Sequence, residues 1–214
     1  MKTRTRVLVA TTNAGKLFEF QALLSACLPG LIGALELVSL RDVLPAYEAP
    51  EEDGASFEDN ARIKAWAAAK ATGLLTLADD SGLEVDALGG QPGVFSARYA
   101  GEHASDAQNK QKLLEALCEV PDEKRGARFR CSIVMAEPES GAELVAFGVC
   151  EGRIAREEKG SGGFGYDPLF VVLGEGLEER LTLAELSPEA KNKISHRAKA
   201  VFNLKAEFER RFSN

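Results

Sequence analysis

The sequence has little from which a soft-metal or redox centre could be built. Its four cysteines, Cys27, Cys118, Cys131 and Cys150, include no C-x-x-C pair, and His103 and His196 are its only histidines. A zinc site of thiolate and imidazole needs about four such ligands at close spacing, so any metal here is expected to be held by oxygen. The cysteines read instead as small buried hydrophobes of a reduced protein, Cys27 and Cys118 on apolar helix positions and Cys131 and Cys150 in strands. No apolar run approaches a membrane span, and residues 7–10 are too short for the core of a secretion signal, so a cytoplasmic protein without membrane partners is expected. Basic charge is in deficit as well: 26 Lys and Arg stand against 33 Asp and Glu, a formal net charge of -7. Such a field repels polyanions, which argues against nucleic acid as a partner. A small phosphorylated ligand in a locally basic cleft remains compatible with it. No internal repeat or low-complexity linker divides the 214 residues, of which 45% are hydrophobic. One domain over residues 1–214, with two lobes, is the expectation.

Apolar spacing predicts a buried strand over residues 7–11 and a helix over 16–28. The helix carries Leu17, Phe20, Leu23, Leu24, Cys27 and Leu28 on one face and stops at Pro29 and Gly30. Residues 35–40 read as a second strand, followed by an irregular acidic stretch. Ser56, with Asp59 three residues on, caps an alanine-rich helix that stops at Gly73. A short apolar strand over 74–78 is predicted to end at Asp79, Asp80, Ser81 and Gly82. Residues 105–120 read as a helix closed by Pro121. Phe129, Cys131, Ile133 and Met135 then alternate into a hairpin with 144–149. An apolar strand over 169–173 precedes one long C-terminal helix opened by Ser187 and Pro188. Strands and helices in this order indicate an α/β protein with a mixed sheet.

Several segments are suited to chemistry. Thr11, Thr12, Asn13, Ala14, Gly15 and Lys16 lie between a strand and a helix, where backbone N–H groups and the helix dipole favour phosphate. The same residues also suit an ordinary polar turn. They do not form a Walker A loop: Ala10 stands where its first glycine belongs and Leu17 where its Ser or Thr belongs. Asp79 and Asp80 at a strand end suit magnesium or general-base work, and equally a solvated Asp-Ser-Gly turn. Glu52 sits among acidic neighbours that read as a solvated loop. Gly160, Gly162 and Gly165 spell G-x-G-x-x-G, but Asp167, Pro168 and a strand follow where a dinucleotide fingerprint needs a helix. The run is therefore either a loop that brings Phe164 and Tyr166 to a ligand or a hairpin loop with two core aromatics. Lys191, Lys193, His196 and Arg197 near a helix start oppose its dipole, a mild cost that a bound anion would relieve. Arg98, beyond the tight turn of Gly89, Gly90, Pro92 and Gly93, is either a phosphate fork or a surface pair.

Taken together, these pieces resemble the inosine triphosphate pyrophosphatase family. The matching blocks are residues 10–16, then Glu52 through Ser56-Phe57 to Asn60-Ala61 and Lys64-Ala65, residues 78–83, residues 89–99, residues 163–168, and Lys191 with Ser195-His196-Arg197. They occur in order and at matching intervals from Val7 to about Ala200. Phe95 and Ser56 depart mildly from the family pattern, which commonly has tyrosine and threonine there.

The resemblance implies an α/β fold with a mixed central β-sheet flanked by helices and two lobes with a nucleotide cleft between them. It implies hydrolysis of ITP, dITP and XTP to the monophosphate and pyrophosphate, and a homodimer. Thr11 to Lys16 would cradle the triphosphate, and Lys64, Arg98 and Lys191 would neutralise its oxygens. Glu52 and Asp80 would hold Mg2+, and Asp80 would also activate water, with Asp79 supporting it. Ser81, Phe164, Gly165, Tyr166, Asp167, His196 and Arg197 would hold the base and its neighbouring groups. Two alternatives stand beside this reading. The septum-inhibition pyrophosphatases share the fold with another base preference, but the Ser195-His196-Arg197 block argues against them. A nucleotide sensor without turnover would not need Asp79, Asp80 and Glu52 together.

Overall fold

The computed structural model describes residues 5–11, 13–27, 35–173 and 181–212. Thr12 and the predicted helix stop at Pro29 and Gly30 lie outside these residues. Six strands form one sheet: β1 (Thr5–Val9), β2 (Leu35–Ser39), β3 (Leu75–Val85), β4 (Gly126–Glu137), β5 (Ala142–Ile154) and β6 (Phe170–Val172), in the order β2-β1-β3-β4-β5-β6. β1 is parallel to β2 and to β3, with Val7 opposite Leu37 and Leu75, whereas β5 and β6 are antiparallel, with Gly152 opposite Val172. The sheet is therefore mixed, as expected. By their contacts the residues fall into two compact units, one of residues 1–80, 131–148 and 197–214 and one of 81–130 and 149–196.

The first unit buries both faces of its strands. Val7 and Val9 pack in one cluster with Leu77, Cys131 and Ile133. Onto this face come Phe20, Leu23 and Leu24 of α1 (Ala14–Cys27) and Ala198, Val201 and Leu204 of α6 (His196–Phe212). Leu8 and Ala10, pointing the other way, pack with Ala78, Val134 and the alanine face of α3 (Phe57–Thr72), namely Ala61, Ala65, Ala68 and Ala69. Alternation along a strand sends successive side chains to opposite faces, which is why β1 and its extension are apolar without a break over residues 7–10. Each aliphatic side chain fully buried in this way contributes about 1.5–3 kcal/mol. The ends of α3 follow the sequence: Ser56 Oγ accepts from the Asp59 N–H, and Gly73 closes the helix at φ 68° in the left-handed region. α2 (Leu40–Val43) is a single turn capped by Ser39.

The second unit packs Leu83, Val85, Leu113, Leu117, Phe129, Ile154, Tyr166, Leu169 and Phe170 into one core. Its α4 (Asp106–Ala116) opens with a capping box between Ser105 and Gln108. The buried Arg125 donates to the carbonyls of Leu117, Ile154 and Ala155 at 2.7–2.9 Å, satisfying backbone acceptors that the core would otherwise strand.

Three expectations are corrected. The strand predicted to end at Asp79 continues to Val85, because both aspartates meet cations where they stand. The single C-terminal helix is two, α5 (Pro188–Ile194) and α6, separated at Ser195, whose φ -63° and ψ 154° are extended. Cys118 lies in the turn after α4 and is exposed rather than buried, since the helix ends at Ala116 and the apolar face passes to Leu113 and Leu117.

Candidate active site

In the first unit the site grows from the middle of β3. Asp79 and Asp80 are successive strand residues, so they serve opposite faces. Asp79 shares the side of Leu77, where Lys16 Nζ lies 3.1 Å from its Oδ2 and Arg197 Nη2 lies 3.2 Å from the same oxygen. Asp80 shares the side of Ala78 and α3, where Lys64 Nζ donates to its Oδ1 at 2.8 Å and Asn60 Nδ2 to its Oδ2 at 3.3 Å. Asn60 and Lys64 are four residues apart and so share one helix face. Lys16 is in the first turn of α1, whose start is held by Asn13: its Oδ1 accepts from the Lys16 N–H at 3.0 Å, and its own N–H donates to Thr11 Oγ1 at 3.2 Å. Glu52 Oε2 reaches Lys64 Nζ at 3.1 Å from the loop before α3.

The two neighbouring carboxyls are driven in opposite directions. Burial works to raise the Asp79 pKa, but Lys16, Arg197 and Lys64 outweigh it and hold the group well below the usual carboxylate range. For Asp80 burial prevails. With Glu52 adding a like charge, it lifts the group above its ordinary value despite Lys64 and Lys16. Lys64 is itself held above its ordinary value: burial lowers it, but Asp80, Asp79 and Glu52 overcome that. The two directions are compatible because Lys64 divides its charge between Asp80 and Glu52. Adjacent acids with separated proton affinities are the arrangement in which one acts as a fixed charge and the other exchanges a proton.

Glu52 and Asp80 thus aim carboxylate oxygens at one cationic point, at present the Lys64 ammonium. That donor set fits magnesium, a hard cation that takes one or two carboxylates and completes its shell with water and substrate phosphate. Among the described residues no group of three or more His, Cys, Asp or Glu is placed to hold a metal ion.

Arg197 is held by two carboxylates of the first unit. It opens α6 beside His196, its side chain is 1% exposed, and its guanidinium donates to Asp79 and to Glu19 of α1. Burial works to lower its pKa, and Asp79, Cys131 and Glu19 reverse that, so it stays charged. Glu19 and Asn60 are two residues to which sequence reasoning gave no role, Asn60 being named only within a matching block. Asn60 carried a signal, being a lone amide on a buried face of α3 otherwise made of Phe57 and alanines. Glu19 carried none.

The second unit holds the remaining candidates. Lys191 of α5 donates to Asp167 Oδ2 at 2.8 Å, and both side chains are buried. The same oxygen accepts the Phe164 N–H at 2.9 Å, and the Lys191 ammonium lies 4.9 Å from the Phe164 ring centroid. Gly163, at φ 71°, has to be glycine, because a Cβ there would fall 2.0 Å from Asp167 Oδ2. The Gly165 N–H donates to Asp106 at 2.8 Å. Tyr166 is buried and donates its hydroxyl to the Ser96 carbonyl at 2.8 Å, while Phe164 is half-buried. Of the two aromatics, then, Tyr166 is a core residue. His196 is buried and stacked on Phe129, with ring centroids 4.8 Å apart and planes at 14°. Ser81 and Arg98 are half-buried, Arg98 lying 5.4 Å over the Phe95 ring. Ser81, Arg98, Lys191 and His196 belong to this unit, and Lys16, Lys64, Asp79, Asp80 and Arg197 to the first.

Comparison with known proteins places these residues in a family. The Ham1 family model matches residues 7–207, and the chain belongs to the Ham1 family. It is 53% identical to the dITP/XTP pyrophosphatase of Desulforamulus reducens, over 92% of each chain. To the dITP/XTP pyrophosphatase of Geobacter sulfurreducens it is 51% identical, over 94% of this chain and 95% of that one. Among solved structures it is similar to a HAM1 protein from Coxiella burnetii, with a TM-score of 0.82 and 43% identity, covering 96% of this chain and 99% of that one.

Proposed function

We propose that this chain hydrolyses deaminated purine nucleoside triphosphates, ITP, dITP and XTP, to the monophosphate and pyrophosphate, with magnesium as cofactor, as a cytoplasmic homodimer. The observation that carries this reading is the pair Asp79 and Asp80, each bound to its own lysine and pushed to opposite proton affinities. The names of the relatives supply the substrate class.

The reaction is attack of water on the α-phosphorus. A new P–O bond forms, the bond from the α-phosphorus to the α,β-bridging oxygen breaks, and pyrophosphate leaves with that oxygen. Asp80 takes the proton of the attacking water, a task suited to a carboxylate whose affinity for protons is raised. Lys16 and Lys64 neutralise charge that develops on the phosphoryl oxygens, with Arg98 and Lys191 as further cations for the triphosphate. Fixed charges of this kind supply most of the acceleration in phosphoryl transfer. Asp79 keeps Lys16 in place, and Thr11, Thr12, Asn13, Ala14 and Gly15 are the residues proposed to cradle the triphosphate. Ser81, Phe164, Gly165, Tyr166, Asp167, His196 and Arg197 are the residues proposed to hold the base and its neighbouring groups. Magnesium, when bound to Glu52 and Asp80, polarises the phosphoryl group.

Hydrolysis of ITP in 18O-labelled water tests the proposal. The label is expected in the monophosphate, with unlabelled pyrophosphate as the other product. Orthophosphate, or label in the pyrophosphate, would refute it.

A further inference from the structure

We propose that Asn60 is a positioning residue for the two carboxylates, a role that rests on the function proposed above for Glu52 and Asp80. Its side chain is fully buried on α3 and bonds in two directions. The amide nitrogen donates to Asp80 Oδ2 at 3.3 Å, and the amide oxygen accepts the Gly54 N–H at 2.8 Å. Gly54 is two residues beyond Glu52. One amide therefore links the strand that carries Asp80 to the loop that carries Glu52.

The contact is selective for an amide. Asp80 needs a donor and Gly54 an acceptor, so the orientation of the Asn60 side chain is set by both partners. On Asp80 the two oxygens are divided, Oδ1 to Lys64 and Oδ2 to Asn60. Without Asn60, the carboxylate is free to rotate, and the oxygen it presents to the point on which Glu52 also converges is no longer fixed. The loop side is equally close-fitting, because a Cβ on Gly54 would stand 2.6 Å from Asn60 Oδ1 and 2.6 Å from Asp59 Cβ. Groups that orient metal-binding carboxylates typically change affinity or activity by about 10–100-fold when removed.

Asn60→Asp and Gly54→Ala separate the two arms, with Asn60→Ala removing both. Asn60→Asp keeps the acceptor for Gly54 and turns the donor facing Asp80 into a second acceptor. It is expected to lose kcat for ITP by about tenfold or more with KM within about threefold, and to need about fivefold more Mg2+ for half-maximal rate, while the Gly54 amide keeps its native hydrogen-exchange protection. Asn60→Ala is expected to show the same kinetic loss with faster exchange at Gly54. Gly54→Ala, which leaves every polar group in place, is expected to raise the Mg2+ requirement by crowding the amide. Mn2+ binding to the protein alone, followed by the electron paramagnetic resonance of the free ion, supplies a readout apart from turnover, and weaker binding is expected in all three variants. Native kcat and Mg2+ dependence in Asn60→Asp would overturn the proposal. So would an Asn60→Ala variant that loses thermal stability while its kcat, Mg2+ dependence and Mn2+ binding stay native, since that is the signature of packing alone. If the unmodified protein releases no pyrophosphate from ITP, the functional reading fails, while Mn2+ binding and Gly54 exchange still decide whether Asn60 organises the two carboxylates.

Discussion

Arg197 donates to Asp79 at 3.2 Å, and both side chains are 1% exposed. A buried pair of this kind adds little over an apolar pair of the same shape, but removing one partner strands the other charge in a medium that solvates it poorly. Arg197→Ala is therefore expected to destabilise the protein by about 3–5 kcal/mol in urea unfolding, partly relieved because Lys16 still faces Asp79. Less than about 1 kcal/mol would mean that water or Lys16 replaces the guanidinium fully.

Excess EDTA is expected to abolish pyrophosphate release, and added Mg2+ to restore it. The reason lies in the ligands: Glu52 and Asp80 are both oxygen donors, and Lys64, the cation they share, neutralises them without polarising a phosphoryl group. Full turnover in the chelator would rule out the metal role given to them.

Asp80→Asn is expected to lower kcat by about a hundredfold or more and leave nucleotide binding within a few fold, because the lost carboxylate acts as the water gives up its proton. Equilibrium binding of ITP measured alongside kcat separates the two. Near-normal turnover would move the base to another group, and Asp79 is the neighbour to test.

The cysteines give a prediction independent of catalysis. Burial pushes the Cys131 thiol up to about 12, with Asp79 adding to the shift, and Cys150 is buried as well. Thiol reagents act on the thiolate and need access. At pH 8 Cys118 should be modified in the native protein, while Cys131 and Cys150 should react only after unfolding. Mass spectrometric mapping of the labelled sites checks this, and early labelling of Cys131 would show that its part of the core opens readily.

Much of this architecture was legible in the sequence wherever a local signal carries it. Ser56 and Gly73 bound α3, Ser105 opens α4 and Ser187 with Pro188 opens α5, all by chemistry confined to three or four residues. The break at Ser195 was not legible, because serine is tolerated within helices and the apolar spacing resumes in α6. Asp79 and Asp80 read as a strand end because an isolated strand has no use for two charges in its middle. What keeps them there, Lys16 at 63 and Arg197 at 118 positions away for Asp79 and Lys64 for Asp80, is long-range or lies on another element, and spacing along the chain does not report it. The family resemblance picked out the acidic and basic residues of the site but not Asn60's link between them, since a lone amide on an apolar helix face marks burial without showing which partners it meets.

Base selectivity is the remaining expectation, and His196 with Arg197 is proposed to help set it. Hypoxanthine and xanthine present a 6-oxo acceptor where adenine presents an amino donor, so a pocket with fixed donors is matched by one and faced with another donor by the other. A buried group left unpaired in this way discriminates by about 10⁴, far more than a methylene-sized difference in shape. The protein is expected to show a ratio of that order between kcat/KM for ITP and for ATP. His196 is buried, and its ring lies nearly parallel to Phe129 at 4.8 Å. His196→Phe keeps a flat ring on Phe129 and removes both ring nitrogens, so the stacking is kept while the polar reading is lost. In that variant the ITP to ATP ratio should fall by at least about tenfold, mostly through slower ITP turnover. An equal loss for both nucleotides would mean that His196 supports the site without reading the base, and the donors that distinguish the 6-oxo group would then have to be sought elsewhere.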